Sequence, residues 1–378
     1  MRDYFRRGGA ICFLTPLDGD CLNIYDGEER QDGYLWVKVK VQADPGRKIE
    51  VNEIPAVYNG ECFEVEVPLG MGRTTLAAKD VQDPEVSEKI VVFRLKNCVG
   101  IYRLSVDDNI LFLQDINDHK DTYTSIFDNP YLAVYKEAHD KYGTNVQLNI
   151  HYERSSNDGF TRPREYFNLT MMTDKFKEEW KANASWLHLS FHARDLFPMK
   201  PYLNTTMTEI SEDAKLVHKE ILRFAGAETL SAENTTIHWG ACTLDGMRGM
   251  RNLGMKGAYG YFNVLKDGST SVSYHYPAEF VQHLHGRDFW MDTEEDILYG
   301  RIDTVLNRYN HVSEVIPVLE EIKANPHIGG CVDFMIHEQY FYEDYSHYIA
   351  EFKDIILASC KWAQENGYRP YFMSEIMP

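Results

Sequence analysis

Four apolar runs in this chain end in histidine: residues 146–151 (VQLNIH), 186–192 (WLHLSFH), 236–238 (TIH) and 332–337 (VDFMIH). A fifth, 102–108 (YRLSVDD), ends in paired carboxylates. Stretches of helical periodicity separate most of them. Strands alternating with helices predict a parallel sheet or barrel. In a parallel barrel the carboxyl ends of the strands gather at one mouth, where active sites form. Five polar strand ends at such a mouth predict one site assembled from distant parts of the sequence.

Side-chain parity places the histidines within that frame, because neighbours along a strand face opposite ways. Gln147, Asn149 and His151 share one face, opposite Val146, Leu148 and Ile150. His188, Ser190 and His192 oppose Leu187, Leu189 and Phe191. Asp333 and His337 oppose Val332, Phe334 and Ile336. The apolar faces would pack on helices, and each terminal histidine then faces the barrel interior.

Strand candidates are 101–107, 145–151, 185–192, 235–239, 257–261, 331–337 and 369–373. Helix candidates are 125–142, 173–182, 211–225, 243–253, 312–324 and 345–366. Ser125, Thr173 and Ser211 suit helix starts, and Gly143, Gly226, Gly254 and Gly367 suit helix ends. These elements fit an incomplete (β/α)7 barrel over residues 100–378. The aromatic and acidic section 262–311 reads as an insertion, partly β, that overhangs the mouth. Residues 1–99 differ: 34–41 (YLWVKVKV), 49–51, 62–67 (CFEVEV) and 89–94 (KIVVFR) alternate with period two between turn residues, which predicts a separate β-sandwich.

A formal charge of −19 argues against a general nucleic-acid binder, which needs basic patches, and against adhesion to anionic membranes. No apolar stretch approaches the roughly 20 residues that span a bilayer. The seven cysteines are scattered and form no CxxC pair, and the N-terminus carries no signal-peptide pattern. Both features predict reduced thiols in a cytoplasmic protein.

Imidazoles with carboxylates at one mouth predict metal-assisted hydrolysis, since a divalent ion acidifies water and a neighbouring carboxylate can take the proton. Neutral imidazole and carboxylate suit zinc, with cobalt or nickel as alternatives. Asp107 and Asp108 point opposite ways unless the chain turns, and Asn109 could begin that turn. His188 lies four residues from His192, which on a strand is roughly 13 Å, too far for one ion. His151, His192, His238 and His337 are expected to line one cavity with Asp107 or Asp108.

At these residues the chain resembles the NodB-type polysaccharide deacetylases, carbohydrate esterase family 4, over about residues 100–378. Ser105-Val106-Asp107-Asp108 is similar to the first motif, T/S-F-D-D-G, which implies Asp107 as catalytic base and Asp108 as metal ligand. Ser190-Phe191-His192 is similar to the entry of H-S/T-x-x-H, which implies His192 as a ligand. Residues 334–337 resemble the fifth motif, which implies His337 as general acid. Leu196 stands where the second motif has its other histidine, and Asn109 where the first has glycine. His238-Trp239-Gly240 stands near the place of the third motif, and 288–292 is loosely similar to the fourth. The third ligand would then be His151 or His238. The stretch 49–80 resembles bacterial immunoglobulin-like modules of carbohydrate-active proteins. The whole chain resembles a bacterial branch of deacetylase-like proteins with such a β-sandwich in front. The resemblance implies a carbohydrate substrate and removal of an acyl group. Two other readings stand beside it: carbohydrate binding without catalysis, and a glycoside hydrolase pairing Asp107 or Asp108 with Glu338 or Glu375.

Overall fold

Period-two alternation governs the N-terminal part of the computed structural model, which describes residues 2–156 and 159–377. In the strand Leu35–Ala43 every second side chain is buried, from Leu35 through Val37, Val39 and Val41 to Ala43. This strand pairs antiparallel with Phe63–Leu69, setting Val39 opposite Val65. Ile11–Thr15, Gly27–Glu29 and Val57–Tyr58 complete that sheet. Ile54–Pro55, Ile49–Val51, Gly72–Asp80 and Ser87–Arg94 form a second antiparallel sheet. Both sheets feed one apolar cluster that includes Val39, Val65, Leu76 and Val92, each side chain contributing roughly 1.5–3 kcal/mol by leaving water.

From Ile101 the pairing becomes parallel. Leu187–Ala193, Val146–His151, Ile101–Asn109, Cys331–His337 and Thr304–Val305 lie side by side. Asn234–Thr235, Gly257–Gly260 and Ile297–Arg301 form a second parallel group, with Phe289–Asp292 antiparallel at its margin. The two groups are stitched together at both margins. Ser231 N–H donates to Leu189 O at 2.9 Å on one side. On the other, Ile302 N–H donates to Gly260 O at 2.8 Å and Asp303 N–H to Asp333 O at 2.9 Å. The strands therefore curve round in a barrel-like arrangement.

Parity behaves as the sequence predicts. Leu104, Val106, Leu148, Ile150, Leu189, Phe191, Phe334 and Ile336 pack outward into the helix-covered core. The helices Pro130–Tyr142, Lys177–Ala182, Met207–Phe224, Leu244–Asn252, Val312–Ala324 and Phe352–Glu365 each precede a parallel strand. Gly143, Gly226, Gly254 and Gly367 follow four of them with φ of 68°, 99°, 100° and 81°, the left-handed stop that glycine adopts at low cost.

Several boundaries differ. The long helix begins at Met207, capped by Thr206 accepting from Glu209 N, and Ser211 lies inside it. The helix expected from residue 345 starts at Phe352. The section 262–311 is more than an insertion: Ile297–Arg301 is a parallel strand within the sheet, and Ala278–His285 is a helix. The strand expected over 369–373 pairs only through Arg369–Pro370, at the start of Ile101–Asn109.

The N-terminal strands are joined to the rest by a packed seam. Tyr4 stacks on Phe280 at 4.5 Å, and Trp290 Nε1 donates to Asp18 O at 2.8 Å. Buried Asp20 meets His283 Nε2 at 2.6 Å and Arg287 at 3.1 Å. Cys21, Phe93 and Leu95 share an apolar cluster with Ile101, Tyr259 and Tyr371. No helix of the described residues is long and apolar enough to cross a membrane, and all seven cysteines are free and buried.

Candidate metal centre

A break in the strand Ile101–Asn109 creates the site. Its pairing with Val146–His151 steps from Val106 opposite Leu148 to Asn109 opposite Ile150. Asp108 takes up the irregularity with φ of 61°, a left-handed conformation that costs a non-glycine residue about 1–2 kcal/mol. The bulge brings both Asp107 and Asp108 to one cleft. The turn is thus at Asp108 and does not begin at Asn109. Buried Asn109 instead pins the break: its Nδ2 donates to Val106 O at 2.6 Å and Asn149 O at 3.1 Å, and Tyr131 OH donates to its Oδ1 at 2.7 Å.

Four side chains converge there. Asp108, His151, His192 and His238 each offer one ligand atom, all within 4.8 Å of one another. Asp108 Oδ1 lies 3.1 Å from His192 Nε2, 3.1 Å from His238 Nδ1 and 3.4 Å from His151 Nε2. His238 Nδ1 and His192 Nε2 are 3.0 Å apart. Backbone carbonyls orient two of the rings, Thr236 O at 2.5 Å from His192 Nδ1 and Leu196 O at 3.2 Å from His238 Nε2. Leu196, standing where the motif that this segment resembles has a histidine, therefore faces this site through its backbone. Both ring nitrogens of His151 are buried without a hydrogen-bond partner. His238 is not at a strand end as expected: the strand is only Asn234–Thr235, and His238 opens a short 3₁₀ turn, His238–Gly240.

Charge and burial compete at this cluster. Burial opposes ionisation of Asp108, but His238 and the close approach of the His151, His192 and His238 rings outweigh it and hold the carboxyl well below its usual range. Burial pushes His151 down to about 4, so it stays neutral. Burial also works against a charged His192, yet Asp107 and Asp108 raise it above the ordinary imidazole value.

Three supporting side chains were not singled out from sequence. Asn149 Nδ2 donates to Asp107 Oδ1 at 2.6 Å. Gln339 Nε2 donates to Asp108 Oδ2 at 2.9 Å. Asn307 Oδ1 lies 2.8 Å from His337 Nδ1, while His337 Nε2 sits 4.0 Å from Asp108 Oδ2. Asn149 alone had a signal, sharing the inward parity of His151. The cleft above has a volume of about 610 Å³ and is lined by Asp107, Asp108, His192, His238 and His337. Trp239, Tyr261, Tyr340 and Tyr345 add aromatic wall.

Other candidates lie elsewhere. His188 stacks on Phe372 at 3.9 Å and binds Ala184 O, away from the cluster. Asp333 pairs with Arg103 at 3.0 Å. Asp288 accepts from Cys331 N at 3.0 Å and Asp292 from Arg2 at 2.7 Å, so the stretch likened to the fourth motif lies on the seam side. Glu338 is fully buried and caps a helix, Leu111–Asp118, that the sequence reading missed. It accepts from Ile110 N at 2.6 Å, Leu111 N at 2.9 Å, Phe112 N at 2.6 Å and Tyr342 OH at 2.7 Å. Glu375 pairs with exposed Arg369 at 3.0 Å. Neither glutamate lines the cleft, which removes the carboxylate partners named for a glycoside hydrolase.

No protein-family model matches the chain, and no curated protein matches it. Among solved structures it is similar to a carbohydrate esterase family 4 pseudoenzyme from Bacillus anthracis, at 8% identity, with 88% of this chain and 91% of that chain covered and a TM-score of 0.35. It is also similar to the carbohydrate esterase family 4 domain of a multidomain xylanase from the hindgut metagenome of Trinervitermes trinervoides, at 11% identity over 73% of this chain and 88% of that one, TM-score 0.33. A third similar structure is the 4-alpha-glucanotransferase from Thermococcus litoralis, at 9% identity over 72% of this chain and 39% of that one, TM-score 0.43. At these values the side chains of this chain, and not its neighbours, carry the functional reading.

Proposed function

We propose that this protein is a metal-dependent hydrolase that removes an acyl group, such as acetyl, from a carbohydrate. The observation that carries the reading is the convergence of Asp108, His151, His192 and His238 within 4.8 Å, with Asp108, His192 and His238 lining a cleft and His151, expected to line it too, buried behind them. The donor set fits a divalent ion of the zinc type: three imidazoles and one carboxylate, with His151 buried, neutral and lacking any other partner. Such an ion supplies Lewis acidity toward a carbonyl and makes water more acidic.

The chain's own residues supply the rest. Asp107, held by Asn149, accepts the proton of the attacking water. His337, oriented by Asn307, donates a proton to the leaving amine or alcohol. Gln339 fixes the second oxygen of Asp108. The similarity of residues 105–108 and 334–337 to motifs of the NodB-type deacetylases supports these roles, as does the barrel-like parallel sheet. We assign the two N-terminal antiparallel sheets, residues 1–99, to an immunoglobulin-like accessory module on the strength of their shared core.

Metal analysis of the purified protein, combined with release of acetate from N-acetylated and O-acetylated oligosaccharides, tests the reading. One equivalent of metal and acetate release dependent on Asp107 are expected. Protein that stays metal-free after incubation with zinc, cobalt or nickel overturns it.

A further inference from the structure

Trp239 stands apart from the other tryptophans. Of the six in the chain, Trp180, Trp186, Trp290 and Trp362 are buried and Trp36 is half-buried, whereas Trp239 is 39% exposed. It lines the cleft directly after His238, the ring centroids being 6.3 Å apart. Its backbone is left-handed, with φ of 60°, a region that bulky residues occupy only when their surroundings force it. Here the surroundings do so. Gly240 is also left-handed, at φ 49°, and a Cβ on it would meet Val272 at 2.6 Å. Gly240 O accepts from Tyr274 N at 2.6 Å, and Gly240 N donates to Ile237 O at 2.6 Å. A rigid turn thus holds a large, partly exposed ring at the edge of the candidate centre, with Lys200 Nζ 5.7 Å from its centroid. Exposed Met199 and Leu265 line the same cleft, while Tyr345, Ser346, His347, Asn307 and Arg308 bring hydrogen-bonding groups to it.

We infer that the Trp239 indole is a stacking platform for a pyranose ring of the ligand, beside the group that reacts. One face of a pyranose carries C–H groups that pack on an aromatic face, and its hydroxyls then point outward to polar partners. A wall in which Trp239 is the most exposed of several aromatic rings, beside Lys200 and several hydrogen-bonding groups, matches that division. The inference rests on the carbohydrate reading for its ligand class, but not on metal binding or hydrolysis.

Tryptophan emission during titration with tetra-N-acetylchitotetraose and with acetylated xylotetraose tests it, using the full chain with and without chelator. At least one sugar should quench or blue-shift the emission. Trp239→Ala should remove that change and weaken binding at least tenfold, with KM rising by more than kcat falls. Trp239→Phe should recover most of the affinity. Zinc content of each variant checks that His238 is undisturbed. No emission change with either sugar overturns the inference, and so does a Trp239→Gly variant that binds as well as wild type, because the strained turn would then serve only His238. Binding that depends on Trp239 in a protein without hydrolytic activity leaves the platform standing and removes the hydrolase reading. Hydrolysis whose KM is indifferent to Trp239→Ala does the reverse.

Discussion

Asn149 Nδ2 lies 2.6 Å from Asp107 Oδ1, between two side chains that are each buried. A hydrogen bond to a buried charged group contributes about 1.5–3 kcal/mol. Asn149→Ala should therefore lower kcat roughly ten- to a hundredfold while metal content holds. Asp107→Asn should abolish acetate release and leave metal bound, because it removes the proton acceptor and no ligand. Parallel metal analysis and progress curves check both, and loss of metal in Asp107→Asn would reassign Asp107 to the ligand set.

Asp108 is the only carboxylate in the cluster among the described residues, so Asp108→Ala should abolish stoichiometric metal binding. In wild-type protein a site filled at a hundred times its dissociation constant raises stability by about 2.7 kcal/mol. Thermal unfolding with zinc and with chelator should show this difference, and Asp108→Ala should not.

His337 reaches the cleft with its Nδ1 held by Asn307. His337→Ala should slow turnover by roughly 10²–10⁴-fold if it is the general acid, with metal retained. Substrates with better leaving groups should be slowed less, and equal slowing across a leaving-group series would assign His337 to binding.

Glu338 serves stability. Three backbone amides and Tyr342 OH converge on its buried carboxylate. Glu338→Ala leaves those donors without an acceptor and should cost on the order of 3–5 kcal/mol, read as a lower midpoint in denaturant. A Glu338→Ala protein of native stability but no activity would restore the glycosidase reading.

His218, on the helix Met207–Phe224, is pushed down to about 4 by burial alone. The folded chain then stays neutral there at pH values where the unfolded chain takes a proton. The stabilisation is present above about pH 6.5 and is lost as pH falls toward 4. Relative to His218→Leu, wild type should lose roughly 2–3 kcal/mol between pH 7 and pH 4. Parallel urea titrations at the two pH values measure this, and a constant difference would contradict it.

Much of the site was legible because strand parity is local. His151, His192 and His337 fall inward by counting alone, and the outward packing of Leu148, Phe191 and Ile336 follows the same count. What the sequence hid depends on distant partners. The helix Leu111–Asp118 has no capping side chain of its own at its start, because its cap is Glu338, 227 positions beyond Leu111. The bulge at Asp108 is pinned by Tyr131 through Asn109. His238 sits on a 3₁₀ turn after a two-residue strand, a position that no periodicity marks. Ile297–Arg301 is buried throughout and so lacks the alternation that would reveal a strand.

The seam of Tyr4, Phe280 and Trp290, with Asp20 buried between His283 and Arg287, bears on how such a protein can change over time. Its two parts are not beads on a string. Exchanging the N-terminal sheets for another module would uncover an aromatic face and strand buried Asp20 or its partners His283 and Arg287. Any exchange at this junction is therefore constrained to segments that bring a matching face.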